Sequence, residues 1–206
     1  HSFMFTSNIS VMILAAGYGK RLRPITEKIP KPLVKVAGIT LLQNILDHVL
    51  SLNCKEIVIN THFQHAMIED FIIKNYKNEN ILISYEKELL DTGGGVKNAL
   101  SLFRNKKVLI LNSDIFWKSD NFQDIRNFIY GFKEEQKCKL LLVSKNQSHG
   151  LYNDKGDFII SNGLIKRFEE NQKIYFYSGA QIISLDVLHE YKKDKFSFNV
   201  LWDELI

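Results

Sequence analysis

The run Leu14-Ala-Ala-Gly17-Tyr-Gly19-Lys20-Arg21-Leu-Arg23-Pro24 sets two glycines directly before three cations. Glycines let bare backbone N–H groups approach anionic oxygens, and a glycine turn at the carboxyl end of a strand is where α/β sheets bind phosphate. The positive charge continues. Between residues 20 and 35 stand Lys20, Arg21, Arg23, Lys28, Lys31 and Lys35 against one acid, Glu27, a local balance of +5 in a chain whose net charge is +4, so the remainder carries −1. All three prolines, Pro24, Pro30 and Pro32, fall in the same stretch, where each removes conformational freedom from a loop. A stiffened cationic segment in an otherwise neutral chain points to a compact polyanionic ligand. The same charge run taken alone is a solvated face. Two phosphate motifs fail on spacing: the dinucleotide fingerprint needs a third glycine where Leu22 stands, and the P-loop needs glycine at position 14 and Ser or Thr after Lys20.

A second group of candidates lies at Asn112-Ser113-Asp114, directly after the apolar run Val108 to Leu111. A carboxylate at a strand's carboxyl end can hold Mg²⁺, which is usually bound by one or two carboxylates plus substrate phosphates; the simpler reading is a turn or helix N-cap aspartate. Asp91-Thr92-Gly93-Gly94-Gly95 is the third group. A tight turn alone needs one glycine, whereas three can bring backbone against a flat base or ribose. No Ser/His/Asp or Cys/His arrangement is visible. His62 and His65 lack cysteine or acidic partners in register and read as loop and helix-start residues rather than zinc ligands. Cys54 and Cys138 are isolated, which gives no disulfide framework and fits a reducing cytosol.

The elements that must position these groups follow from hydrophobic periodicity. Val11 to Ala15 reads as a strand buried on both faces, ended by Gly17. After a loop through about Val36, the spacing predicts helix Leu41 to Leu52, strand Glu56 to Asn60, helix His65 to Tyr76, strand Ile81 to Tyr85, helix Val96 to Phe103 and strand Val108 to Asn112. Strand, helix, strand, helix means a parallel sheet covered on both sides. Beyond Asp114 a helix from about Phe122 to Phe132 leads to strand Lys139 to Ser144 and to short strands near Phe158, Leu164 and Tyr175 to Ser184. These read as a mixed sheet of hairpins laid against the first, with turns at Asn153 to Gly156 and Ser161 to Gly163. With 206 residues, 45% of them hydrophobic, the chain is expected to form one globular domain with two lobes. Apolar runs are too short to span a membrane, and the net charge is too small to argue for nucleic acid. The helical pattern at Trp202 to Ile206 has no stop signal, so the native chain is expected to continue.

From the glycine turn through Arg21, Pro24 and Pro30-Lys31-Pro32-Leu33, the chain resembles the sugar-1-phosphate nucleotidyltransferases. Ile57 to His62, Asp91 to Gly95 with Ala99, Asn112 to Asp114 and Tyr177-Ser-Gly179 follow in that family's order. The resemblance covers about residues 9 to 200. It looks closest to small bacterial N-acetylmuramate-1-phosphate uridylyltransferases and mannose-1-phosphate guanylyltransferases. It implies a three-layer Rossmann-like α/β fold, with a mostly parallel central sheet in the nucleotide-binding half, about 9 to 115, and a smaller mixed-sheet sugar-binding lobe, about 116 to 206. It further implies transfer of a nucleoside monophosphate from a nucleoside triphosphate to a sugar 1-phosphate, with Mg²⁺ as cofactor and a cytoplasmic location.

By resemblance Arg21 grips the triphosphate and departing pyrophosphate, Lys31 neutralises charge around the α-phosphate, and Asp114 is a metal ligand. Leu14, Ala15, Ala16, Gly17, Gly19 and Lys20 hold the nucleotide; Glu86, Thr92 and Gly93 lie on its base side; Gly150, Asp157 and Gly179 lie on the sugar side. The family's acid-lysine pair after the hairpin is replaced here by Glu169-Glu170-Asn171-Gln172. Its second metal carboxylate is expected beyond Ile206, and Asp203 resembles it only superficially. The expectation is that the glycine turn, Arg21, Lys31 and Asp114 converge on one open cleft at the carboxyl edge of the sheet. Two other readings stand beside this one: a catalytically silent nucleotide-sugar-binding module on the same fold, and a nicotinamide-dependent dehydrogenase, against which the missing third glycine counts.

Overall fold

The computed structural model describes residues 9–144, 158–161, 164–167 and 175–206. The expectations for Gly150, Asp157, residues 169–172 and the turns at 153–156 and 161–163 involve positions outside these described residues.

Strands β1 (Ser10–Leu14), β4 (Ile57–Thr61), β5 (Ile81–Tyr85) and β6 (Lys107–Asn112) form a parallel array in the order β5-β4-β1-β6. Their alternate side chains face two different cores. Val11 and Ile13 of β1 pack with Ile57, Ile59, Leu109 and Leu111 on one side, while Met12 packs with Val58, Val108 and Ile110 on the other. Both faces are apolar because both are covered, which is why these strands read as unbroken hydrophobic runs. Helices α2 (Leu41–Leu50), α3 (His65–Asn75) and α5 (Ser119–Tyr130) cover the first face through Leu42, Ile45, Ile68, Ile72, Phe122 and Ile125. Helices α4 (Asp91–Asn98), α6 (Leu185–Glu190) and α7 (Phe198–Leu205) cover the second through Val96, Leu188, Phe198, Leu201 and Trp202. The expected three-layer α/β architecture is therefore what forms. Helix α2 starts where it does because the Thr40 hydroxyl accepts the Gln43 N–H at 2.9 Å, an N-cap that satisfies one of the orphan donors of the first turn.

The second half departs from the expectation in one respect. Its strands do not lie against the parallel array but continue it. Strand β10 (Tyr175–Ser184) pairs antiparallel with β6, with β7 (Cys138–Ser144) and, at Tyr175, with β8 (Phe158–Ser161), which pairs with β9 (Leu164–Arg167). A strand long enough to serve both β6 and β8 lets one sheet of eight strands carry both halves. The register of β10 on β7 shifts between Tyr177 and Gln181, and Gly179 sits in that bulge with φ +91°, a backbone state glycine adopts without strain.

The loop expected between β1 and α2 is more ordered than its composition implies. It contains a 3-10 turn at Lys20–Leu22, a single helical turn α1 (Ile25–Lys28), a second 3-10 turn at Lys31–Leu33, and a two-residue hairpin of β2 (Lys35–Val36) and β3 (Ile39–Thr40).

Candidate functional site

Because β1, β4, β5 and β6 are parallel, their carboxyl ends share one edge of the sheet, and a cleft of about 960 Å³ opens there. Leu14, Ala15, Ala16, Gly17, Gly19, Lys20 and Arg21 line it, together with Lys31, Thr92, Asn112, Ser113 and Asp114. Ser113 N–H donates to the Leu14 carbonyl at 3.2 Å, which sets the end of β6 against the end of β1. Asp114 is thereby held next to the glycine turn.

The two glycines of the turn serve different ends. At Gly17 an added Cβ would meet nothing within 4 Å, so this backbone faces open space on the cleft. At Gly19, with φ +64°, a Cβ would stand 2.9 Å from Thr26 Cγ2 and 3.1 Å from Lys31 Cβ. The buried Thr26 hydroxyl donates to the Gly19 carbonyl at 2.6 Å. Gly19 thus allows the cationic loop to fold back on the turn, and Lys31 arrives in the cleft as a result. Buried Pro30 and Pro32 flank Lys31, and Leu33 N–H closes the 3-10 turn onto the Pro30 carbonyl at 2.9 Å. Lys31 Nζ lies 3.3 Å from Asp114 Oδ2 although the two are 83 residues apart in sequence. Arg21 is exposed on the cleft wall. The chain after Asp114 is pinned in turn: Asn44 of α2 donates to the Trp117 carbonyl at 2.9 Å and accepts its N–H at 2.7 Å.

Asn60, at the end of β4, joins two walls. Its Oδ1 accepts the Ala15 N–H at 2.7 Å, and its Nδ2 donates to Glu86 Oε2 at 2.7 Å. Glu86 is only 1% exposed, and its other oxygen accepts the Leu90 N–H at 3.0 Å. Burial holds the Glu86 carboxyl above the usual carboxylate range, against the opposing pull of the Leu90 and Asn60 hydrogen bonds. Both carboxylate oxygens are engaged, so the side chain stands behind the wall and shapes the loop Lys87 to Leu89, which lines the cleft.

The glycine triplet corrects the sequence reading most clearly. Helix α4 starts at Asp91, five residues before the expected Val96, so Gly93, Gly94 and Gly95 lie within it. Their missing side chains make room for protein. A Cβ on Gly93 would stand 2.3 Å from Phe196, one on Gly94 2.5 Å from the Asp194 carbonyl, and one on Gly95 2.7 Å from Asn60 Nδ2. The segment leading into α7 lies along these glycines: Gly94 N–H donates to the Phe196 carbonyl at 3.0 Å, and Phe196 N–H to Leu90 at 3.2 Å. Thr92 Oγ1 accepts the Phe198 N–H at 3.0 Å. Gly93 is buried and does not line the cleft. Gly179 likewise answers to protein, its Cβ position lying 2.2 Å from Ile115 Cδ1.

The cleft also contains residues to which sequence reasoning assigned no individual binding or catalytic role: Tyr18, Asn60, His62, Lys87, Glu88, Leu89, Asp91 and Lys195. Asn60 and His62 carried a usable signal, being polar residues at the carboxyl end of an apolar strand. Lys195 carried none, because only the path of the chain back over α4 brings it to the rim, where it pairs with Glu88 at 3.2 Å. Among the described residues no group of three or more His, Cys, Asp or Glu side chains is arranged for a metal. Asp203 is engaged by Arg167 at 2.6 Å and does not line the cleft. Burial pushes the Cys54 thiol up to about 11 and the Cys138 thiol to about 12, so neither supplies a thiolate nucleophile.

An open backbone turn and clustered cations, with the Asp114 carboxylate among them at the edge of a parallel sheet, define a protein that handles nucleotide phosphates. The Nucleotidyl transferase family model matches residues 10–173, and the chain belongs to that family. It is 32% identical over 202 residues to the N-acetylmuramate alpha-1-phosphate uridylyltransferase of Caulobacter vibrioides, covering 94% of this chain and 83% of that protein. It is 27% identical over 203 residues to the D-glycero-alpha-D-manno-heptose 1-phosphate guanylyltransferase of Campylobacter jejuni, covering 95% and 86%. In fold it is similar to HddC from Yersinia pseudotuberculosis complexed with GMP-PN, with TM-score 0.70 and 23% identity over 92% of this chain and 82% of that one.

Proposed function

We propose that the protein transfers a nucleoside monophosphate from a nucleoside triphosphate to a sugar 1-phosphate, releasing pyrophosphate and forming a nucleotide-activated sugar. The observation that carries this reading is the meeting of Lys31 and Asp114 at 3.3 Å in the cleft that Gly17 and Arg21 also line. A sugar 1-phosphate oxygen is already ionised at neutral pH, so its in-line attack on the α-phosphorus needs no general base. What the reaction needs is positive charge on the α-phosphate and on the leaving pyrophosphate. Backbone N–H groups at Gly17 to Gly19 take phosphate oxygens, Arg21 holds the triphosphate and then the pyrophosphate, and Lys31 moves from Asp114 to the α-phosphate as substrate arrives.

Asp114 has a hard oxygen donor with 44% of its side chain exposed on the cleft. That donor fits Mg²⁺ held by one carboxylate together with substrate phosphates. Bound there, Mg²⁺ supplies charge neutralisation at the phosphates. The loop Lys87 to Leu89, with Asp91 and Thr92, forms the base side. The identity with the Caulobacter vibrioides enzyme supports UTP and N-acetylmuramate 1-phosphate as the substrate pair. The identity of 29% over 187 residues with a mannose-1-phosphate guanylyltransferase of Mycobacterium tuberculosis supports GTP and mannose 1-phosphate as the second reading. No helix among the described residues is long and apolar enough to cross a membrane, and we place the reaction in the cytoplasm, where nucleoside triphosphates are made.

Four nucleoside triphosphates assayed against a panel of sugar 1-phosphates for pyrophosphate release test the proposal. Release with one pair supports it. Nucleotide binding without release from any pair overturns it in favour of a silent binding module.

A further inference from the structure

We infer that His62 is a positioning residue that ties the phosphate-facing glycine turn to the loop across the cleft, acting through Tyr18 on one side and the Glu86 carbonyl on the other. The inference rests on the nucleotidyl-transfer reading of the same cleft. His62 follows the last residue of β4, and both it and Tyr18 line the cleft. Its Nδ1 lies 2.7 Å from the Glu86 backbone oxygen. A carbonyl can only accept, so Nδ1 donates to it, and in the tautomer that carries its one proton there Nε2 presents a lone pair. Tyr18 Oη lies 3.1 Å from that nitrogen, so the hydroxyl donates to it. The two rings meet edge-on at 5.6 Å between centroids, and Phe63 packs on Tyr18 at 5.3 Å.

Tyr18 stands between Gly17 and Gly19, two residues that supply no side-chain anchor of their own. The Gly19 carbonyl is held by Thr26, but the Gly17 side of the turn faces open space. The Tyr18 hydroxyl is therefore the side-chain hold on the half of the turn that meets the ligand. On the other side, Glu86 is the residue whose chain continues into Lys87, Glu88 and Leu89, the cleft-lining loop. One imidazole thus joins the phosphate wall to the base wall, and it does so because it offers a donor and an acceptor at opposite ends of a rigid ring. Ordering a glycine turn before the ligand arrives lowers the entropy cost of binding.

Equilibrium binding of the preferred nucleoside triphosphate, measured by calorimetry on the intact chain, tests the inference separately from turnover. Y18F removes one hydrogen bond within the protein and is expected to weaken binding measurably, by up to about fivefold, the full worth of one neutral hydrogen bond. H62L removes both and is expected to weaken it about tenfold or more. If the two act as one unit, the Y18F/H62L double variant binds no more weakly than H62L alone. H62Q keeps a donor and an acceptor on one side chain and is expected to recover most of the affinity. The corresponding nucleoside should be affected by H62L but not by Y18F, since only the histidine touches the base-side loop. Unchanged triphosphate binding in Y18F, or fully multiplicative losses in the double variant, overturns the inference while leaving the functional reading intact. Failure of the wild-type chain to bind any nucleoside triphosphate overturns both.

Discussion

Replacing Asp114 with asparagine separates what the residue does for the fold from what it does for the reaction. Among the described residues its carboxylate pairs with Lys31 at 3.3 Å, the Lys31 and Asp114 side chains being 27% and 44% exposed. Water screens a pair that open, and such pairs contribute about 0.2 to 1 kcal/mol. For a chain of this length that corresponds to a change in Tm of less than about 4 °C. In the reaction proposed above, the same carboxylate would be the hard donor for a Mg²⁺ ion that neutralises the phosphates. Loss of an electrostatic contact to developing phosphate charge costs about 3 to 4 kcal/mol, or 10² to 10³ in turnover. The two magnitudes differ enough to be read in one pair of measurements: thermal melting of both proteins, and pyrophosphate release at saturating nucleotide and sugar 1-phosphate across a Mg²⁺ titration. We expect D114N to melt with the wild type and turn over at least a hundredfold more slowly, with part of the loss recovered as Mg²⁺ is raised. A variant that melts normally and keeps activity within a factor of about ten would refute the assignment, and the pair with Lys31 would then be surface charge alone.

Arg21→Ala should lower turnover by about two to three orders of magnitude, because a cation aimed at developing phosphate charge acts in the transition state, while its exposed side chain contributes little to stability; kinetics and melting of the same preparation check both halves. Asn60→Leu strands the Ala15 N–H and Glu86 Oε2 in a buried site, which should cost about 3 kcal/mol and lower Tm by about 6 to 12 °C, measurable by calorimetry. Gly93→Ala drives a Cβ into the Phe196 ring and should cost about 1 to 3 kcal/mol; a urea midpoint equal to wild type would show that the segment gives way freely. Glu86 has a carboxyl held above its ordinary range in the folded chain, so the native state binds that proton more tightly than the unfolded state. Stability relative to E86Q should therefore fall as pH rises from the ordinary glutamate range through the raised folded value, then level off. Urea midpoints of both proteins across that window test the sign.

The alternation of buried strands with helices was legible in the sequence because each is a local period. A continuous apolar run such as Val11 to Ala15 can be satisfied only between two layers, and the spacing of Leu42, Ile45, Leu46 and Val49 only on a helix. Family membership was legible for a related reason: the glycine turn, Arg21 and Pro30-Lys31-Pro32 are contiguous, so their spacing survives in one dimension. Strand order is not a local property. Tertiary structure alone placed β10 beside β6, turning an expected second layer into an extension of the same sheet. It alone brought Asn60 and His62 to Glu86, and it gave the expected convergence of Lys31 and Asp114 its 3.3 Å geometry. The glycines of α4 show the limit most plainly. Their sequence states that something comes close to the backbone, which is a fact about missing side chains. That the close neighbours are Phe196 and Asp194, from a segment about a hundred residues later, and Asn60, from an earlier strand, depends on the path of the whole chain, and no local period encodes that path.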